Sequence, residues 1–557
     1  MALWQGQTPT MFVRPKRSVH GDRVYEYLQI VRSYRTGKSV RQEVIATLGR
    51  RDELVASGDL DKLLQSLGRY SARLKVVEGY RADRLRARTA REWGPELVFG
   101  RLWERQGLPQ ILHRLAEGRR FEFDVERAAF AMSLQRLRSP GSDLHGAGWV
   151  KTIEAPGVGE LTHRQFYTTC SFLNGVRGKL EEELFFRDRD LFSDGLDLVF
   201  IDTTSTFVYR TGETEMRERG YSRDRRPDLP QIVICLAVDQ RGWPVAWEMY
   251  PGSTADKKAF RHIVGVLRER LKIRRVIVVA DRGMISKDSI EMLTGDAEAP
   301  YEYILGCKMR RQKEVSEDVL SRAGRYHAVR GNLEVKEVVT ANGRYVVCRN
   351  PDEAVKDAAA REVILARLEE TLAKDGAKSL VRNKGYARFI KVQRDAVSID
   401  KKAVEADARL DGKFVLRTST DLPADEVALR YKDLWRVERA FRTEKSVLEI
   451  RPLFHKVDRN CVGHIVPCFL ALRLEVDLQM RLDERGVAAS WPDVMRDLGQ
   501  VQAVTLDADG TRYLLRTDMQ GTAYEAFAAA GVRPPSPATE IGPAPPDDTP
   551  IQEALAL

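Results

Sequence analysis

The sequence predicts an α/β protein, and three observations carry that reading. Two short apolar runs rich in β-branched residues each lead into an aspartate, at Asp202 and at Asp281. A hairpin-like pair of runs and an amphipathic helical stretch lie between them, and a helical segment bearing Glu438 follows after a long interval.

Taken in order, residues 1–75 read as a basic, strand-rich segment. Arg14, Lys16, Arg17, Arg23, Arg32, Arg35, Lys38 and Arg41 interleave there with Tyr25, Tyr27 and Tyr34. Such a mixture suits phosphate contacts with some stacking, or equally a solvated strand face. Residues 76–192 read as helical and, with Asp59 to Gly68, as the rest of a nucleic-acid-binding region. Residues 193–308 open the sheet: Leu198 to Ile201 form a buried strand ending in Asp202, and Gln231–Val238 and Pro244–Met249 form a hairpin around Asp239-Gln240-Arg241-Gly242. Thr254 is the expected N-cap of a helix from Ala255 to Leu271, whose Phe260, Ile263, Val264 and Leu267 make an apolar stripe. Asp256 then falls in the first turn, where the helix dipole favours an acid. Val276 to Ala280 make the strand before Asp281, and Tyr301 to Gly306 another.

Residues 309–423 read as an inserted domain of alternating parts. Its expected strands are Tyr345–Cys348 and Phe414–Arg417, and Asp352–Lys374 is its expected helix; it carries no tryptophan. Residues 424–505 bring the Glu438 helix, and 506–557 end in a proline-rich stretch from Arg533 to Pro550, expected to be disordered or extended.

A carboxylate at the end of a buried strand is costly to desolvate unless it is paired, hydrogen-bonded or bound to a cation. A turn or cap role is the plain alternative for each aspartate, and Glu438 with Arg442 makes an i,i+4 pair worth only about 0.3–0.5 kcal/mol. Three acids together suggest metal-dependent phosphodiester chemistry, for which Mg2+, a hard ion held by oxygen, suits the residue types. Tyr431, Glu438 and Lys445 recur at intervals of seven, so on one continuous helix they would share a stripe.

The chain resembles bacterial insertion-sequence transposases with a DDE triad, in the group carrying a Tyr-Arg-Glu-Lys signature. The likeness rests on Tyr25 to Leu28 with Leu48-Gly49-Arg50, Phe200 to Thr204, Gly220 to Gln231, Pro251 to Asp256, Ala280 to Gly283, and Tyr431 to Lys445 with Arg451-Pro452. It implies a ribonuclease H-like mixed sheet interrupted by the insertion, and that the insertion is mostly β. It implies further that Asp202, Asp281 and Glu438 are the catalytic and metal-binding triad, holding two Mg2+ ions for which Mn2+ can substitute. Tyr431 and Lys445 would support the DNA backbone. Where the signature has Arg, this chain has Leu434, and Arg436 or Arg439 are the candidates to supply that charge. The implied partners are double-stranded DNA, as terminal inverted repeats and target, and a second copy of the chain in the active complex. Arg14, Lys16, Arg17, Arg32, Arg35 and Lys38 are the N-terminal DNA-binding candidates. A nuclease without strand transfer and a non-catalytic DNA-binding descendant are the other readings.

The composition agrees with a large nucleic-acid enzyme. The 557 residues carry a net charge of +10 and 43% hydrophobic residues, enough for several real cores. Six scattered cysteines without CxxC pairs point to a reduced, cytoplasmic protein. Cys461, His464 and Cys468 lie along one face of an apolar helical stretch and read as packed core ahead of a zinc site. No signal-like order opens the chain, and no apolar run is long enough for a membrane span.

Overall fold

Three long antiparallel strands open the chain, β1 (Thr10–His20), β2 (Arg23–Thr36) and β3 (Ser39–Arg50), in the order β1-β2-β3. In this computed structural model the described residues are 10–544, apart from 21–22, 37–38, 69, 82–84, 192–197, 211, 275, 296–299, 375–386, 394–395 and 447. Short helices at Arg51–Ala56, Asp59–Gly68 and Ala72–Arg81 follow, then β4 (Leu85–Glu92). The chain divides into two compact units. One gathers residues 1–91, 501–518 and 534–557, the other 92–500 and 519–533.

The second unit begins with helices, the longest of them His163–Leu191, and then builds a nine-stranded mixed sheet. Its strands are β5 (Leu198–Phe207), β6 (Gln231–Asp239), β7 (Pro244–Pro251), β8 (Ile277–Ala280), β9 (Glu302–Gly306), β10 (His327–Ala328), β11 (Glu334–Thr340) and β12 (Gly343–Arg349). A two-stranded sheet, β13 (Ile390–Gln393) with β14 (Ala396–Ile399), stands apart, and β15 (Lys413–Thr418) is the ninth strand of the large sheet. The strand order is β10-β11-β12-β15-β9-β8-β5-β6-β7. β5 and β9 flank β8 in parallel, and the other pairings are antiparallel.

The parallel centre is buried on both faces, which is why its strands read as continuous apolar runs. Val199, Ile201, Val278 and Leu305 join Phe260, Ile263, Val264 and Leu267 of the helix Asp256–Gly265 and the π-turn after it in one core. That helix starts one residue later than expected. Ala255 is its N-cap and makes no side-chain bond, while the Thr254 N–H donates to the Pro251 carbonyl in the preceding turn.

The stretch 309–423 builds onto the same sheet. β15 pairs with β9 at Leu416 and Gly306, and the β11–β12 hairpin continues outward from β15. The helix Pro351–Lys374 contributes Leu368, which packs with Phe389 in a small separate cluster. The last long helix, Asp458–Glu484, is buried along most of its length, Cys461, His464 and Cys468 included, so that segment is core as read from its sequence.

In the first unit, β16 (Gln502–Ala508), β17 (Thr511–Arg516) and β18 (Ala538–Pro543) make a sheet with β4 in the order β18-β17-β16-β4. Of the two expectations for the proline-rich C-terminal stretch, the extended one holds for residues 538–543, which form an edge strand on β17. Proline suits such an edge, where a missing N–H costs no ladder bond. Pro545, Pro546 and Pro550 lie outside the described residues.

Candidate active site

β5 does not end at Asp202. It runs five residues further, through Thr203, Thr204, Ser205 and Thr206, all buried, because β6 continues the ladder on that side as far as Phe207 opposite Gln231. On the other side the parallel ladder with β8 stops at Ile201 opposite Ala280. Asp202 and Asp281 are the next residues on each strand, so the register sets them side by side where β5 and β8 part.

A cleft of about 390 Å³ opens there, and Asp202, Asp281 and Glu438 all line it. Thr203, Arg223, Asp256, Gly283, Phe441, Arg442 and Lys445 complete much of its wall. The Asp202 carboxyl is pushed up to about 7. Burial is the main cause, the charges of Asp281 and Glu438 add to it, and the Thr203 N–H and Arg223 work against it. The Thr203 N–H donates to Asp202 Oδ1 at 2.7 Å. One wall is cross-braced: Arg223 Nη2 donates to Thr203 Oγ1 and to Asp256 Oδ1, each at 2.7 Å, and Thr203 Oγ1 donates to the same carboxylate oxygen at 2.8 Å.

Asp281 is held from the other side. The Tyr431 hydroxyl donates to its Oδ1 at 2.9 Å, and the Tyr431 ring stacks on Phe414. Burial, then the Asp281 charge and this bond, push the phenol well above its ordinary range. Gly306 makes the approach possible, since a Cβ there would lie 2.5 Å from the hydroxyl oxygen.

Tyr431 and Glu438 do not share one helix. Tyr431 sits on Ala424–Lys432, Asp433 and Leu434 make a turn, and Glu438 and Lys445 follow on Trp435–Ser446. The expected single stripe is therefore broken, although all three residues still border Asp281 or the cleft. Leu434 is buried at the turn, where it packs as core. Lys445 Nζ donates to Asp224 Oδ1 at 3.0 Å, and Arg451 meets the same oxygen. Burial lowers the Lys445 ammonium's affinity for its proton, and Asp224 partly restores it.

Arg436 and Arg439 point elsewhere. They line a separate cleft with Arg241, Trp435 and Glu475, and the Arg436 guanidinium lies over the Trp435 ring at 5.0 Å. Arg442, one turn on from Glu438, is the arginine of this helix that faces the acids. Sequence reasoning took Arg442 only as an ion-pair partner of Glu438 and passed over Arg223 and Asp224, although both stand in the Gly220–Gln231 stretch.

Among the N-terminal candidates, Arg17 pairs with Glu26 at 3.0 Å and Arg32 with Glu43 at 2.7 Å, both across neighbouring strands, and Arg14 donates to Gln42. Lys16 is exposed. Lys38 and the Arg35 side chain lie outside the described residues. Within the sheet Glu26 and Glu43 each pair with one arginine, and its basic residues outnumber these two acids.

Comparison with known proteins adds to this geometry. No curated protein matches the chain. A solved structure of Argonaute from Aquifex aeolicus aligns at 11% identity over 43% of this chain and 24% of that one, with a TM-score of 0.15, an overlap that carries no argument. The chain thus spans about a quarter of that protein. Residues 13–78 match the IS1634 family transposase N-terminal domain. Residues 194–472, half of the chain and every acid of the cleft, match the transposase DDE domain. The chain accordingly belongs to the DDE transposases of insertion sequences, enzymes of metal-dependent DNA chemistry.

Proposed function

We propose that Asp202, Asp281 and Glu438 are the catalytic, metal-binding triad of a ribonuclease H-like domain. In this reading the enzyme hydrolyses a DNA phosphodiester at each end of its element and joins the freed 3′-OH to target DNA. The observation that carries the proposal is the convergence of the three acids on one cleft where β5 and β8 part, in which burial above all raises the Asp202 carboxyl to about 7. The antiparallel β5-β6-β7 arm beside the parallel β8 and β9 supports the ribonuclease H-like reading.

The donor set fits Mg2+, two ions with Mn2+ able to substitute, because it is all oxygen and its like charges favour a cation among them. When bound, the metal supplies charge stabilisation to the entering and leaving oxygens of an in-line displacement at phosphorus. The chain's own groups do the positioning. The Thr203 N–H orients Asp202, and the Tyr431 hydroxyl orients Asp281. Arg223 fixes Thr203 and Asp256 along one wall. Arg442 and Lys445 bring positive charge to the cleft for the DNA backbone, with Tyr431 at its margin, while Arg436 and Arg439 serve a neighbouring stretch of duplex.

The N-terminal sheet, through Arg14, Lys16, Arg17, Arg32, Arg35 and Lys38, is proposed to contact the terminal inverted repeats. Pairing of two ends calls for a homodimer, working in the bacterial cytoplasm where the DNA lies. Among the described residues no helix is long and apolar enough to cross a membrane.

The test is cleavage and joining of labelled DNA carrying the element's ends. Asp202→Asn, Asp281→Asn and Glu438→Gln are each expected to abolish Mg2+-dependent cleavage and to leave DNA binding intact. Cleavage that persists in all three variants removes the triad. Cutting by the wild-type protein without joining makes it a nuclease instead.

A further inference from the structure

Outside the acid cleft, four metal-binding side chains converge in the helical part of the second unit. Asp143 opens the helix Asp143–Trp149, Cys170 lies on His163–Leu191, His455 on the connection after Leu453, and His464 on Asp458–Glu484. All four are buried, and their donor atoms lie within 4.8 Å of one another. We propose that Asp143, Cys170, His455 and His464 form a structural zinc site that clamps these four segments together.

The spacing is close to that of a closed tetrahedral site, with the two contacts of the His464 nitrogen a few tenths of an ångström tighter than zinc bonds would set. Zinc bonds of ordinary length place neighbouring donors about 3.3–3.7 Å apart. His455 Nε2 stands 3.0 Å from His464 Nδ1, His464 Nδ1 3.1 Å from Asp143 Oδ1, His455 Nε2 3.4 Å from Asp143 Oδ2, and Cys170 Sγ 3.4 Å from the same oxygen. Two imidazole nitrogens thus face each other and one carboxylate. Each tautomer leaves one mismatch: two protonated nitrogens would confront each other at 3.0 Å, and a single shared N–H sets the other nitrogen's lone pair against an Asp143 oxygen. A cation at the centre lets both nitrogens, the thiolate and the carboxylate act as donors of electron pairs.

The surroundings agree. Gly463 admits the close crossing that brings His464 beside Cys170, because a Cβ there would run into the Cys170 carbonyl. Binding releases the Cys170 thiol proton to solvent, and the thiolate with the Asp143 carboxylate then balances the divalent ion. Arg136, 3.7 Å from Asp143 Oδ1, shares the outer side of that carboxylate and is the charge the ion competes with. Cys461 and Cys468 take no part, since their thiols turn to the carbonyls of His455 and His464.

The test uses the full-length chain bearing Asp202→Asn, Asp281→Asn and Glu438→Gln, so that the acid cleft contributes no ion. Purified from zinc-supplemented medium and desalted, it is expected to hold a single zinc per chain by mass spectrometry of the metal. Cys170→Ser and His464→Gln, each in that background, are expected to lose it. Cobalt exchanged into the parent gives tetrahedral visible bands and a thiolate charge-transfer band that Cys170→Ser removes, and a strong chelator lowers the parent's Tm. If His464→Gln fails to fold, the cobalt spectrum of Cys170→Ser decides. A metal-free parent whose Tm ignores the chelator, or a cobalt spectrum unchanged by Cys170→Ser, overturns the proposal.

Discussion

The Tyr431 hydroxyl reaches across from the helix Ala424–Lys432 to Asp281 Oδ1, 2.9 Å away. A buried donor of this kind fixes the carboxylate's rotation and leaves its second oxygen for other work.

Tyr431→Phe keeps the ring on Phe414 and deletes only that bond. Cleavage is expected to fall about ten- to a hundredfold, equivalent to the roughly 1.5–3 kcal/mol of a hydrogen bond to a charged group, with DNA binding unchanged. Gly306→Ala should cost at least as much, because its Cβ would meet the hydroxyl and also the Arg282 backbone nitrogen at 3.0 Å, and the two changes together should cost less than their sum. Single-turnover cleavage of the three proteins measures this coupling.

Asp202 gives a pH signature in metal-free protein. Its carboxyl is raised to about 7 in the fold from an ordinary value near 3.8, so the folded state binds the proton more tightly than the unfolded chain does. Its contribution is therefore fully favourable below about pH 4 and is lost as pH rises toward 7. In a chelator, Asp202→Asn should melt above the wild type at about pH 8 and level with it at about pH 4. Thermal melts at both values decide it, and a gap that does not vary with pH contradicts it.

Asp224 holds two cations, Lys445 and Arg451, on one buried oxygen. Lys445→Ala is expected to destabilise the fold by about 1–3 kcal/mol, less than the loss of a sole partner because Arg451 remains. Its effect on cleavage should stay below that of Glu438→Gln. Denaturant melts beside cleavage rates separate the two roles.

Asp256 is the fourth acid of the cleft, yet it is bound to Arg223 and Thr203. Asp256→Asn is expected to slow cleavage about tenfold by loosening that wall, the cost of one hydrogen bond of about 1.4 kcal/mol, whereas Asp202→Asn abolishes it. Equal losses in the two variants would move Asp256 into the triad's own rank.

What was legible in the sequence was local. The runs before Asp202 and Asp281, the hairpin from Gln231 and the stripe of Phe260, Ile263, Val264 and Leu267 all carry their periodicity in a few consecutive residues. The rest depends on partners distant in the chain. Thr203 to Thr206 look like the polar end of a strand, and only β6 beside them makes them its buried half. Glu438 kept its place while its supposed stripe broke, because the turn at Asp433 and Leu434 has neither Gly nor Pro to announce it. Arg436 and Arg439 already lie in a different helical direction from Tyr431 by their spacing, and they line a separate cleft.

The pairing of β15 with β9 means that residues 309–423 are not a removable module. β9 lies directly beside β8, the strand that delivers Asp281. Excising the stretch would strip β9 of its outer neighbour and leave a bare apolar edge one strand from the catalytic cleft, an invitation to aggregate. A shortened relative would need some other strand, its own or a partner's, to seal that side.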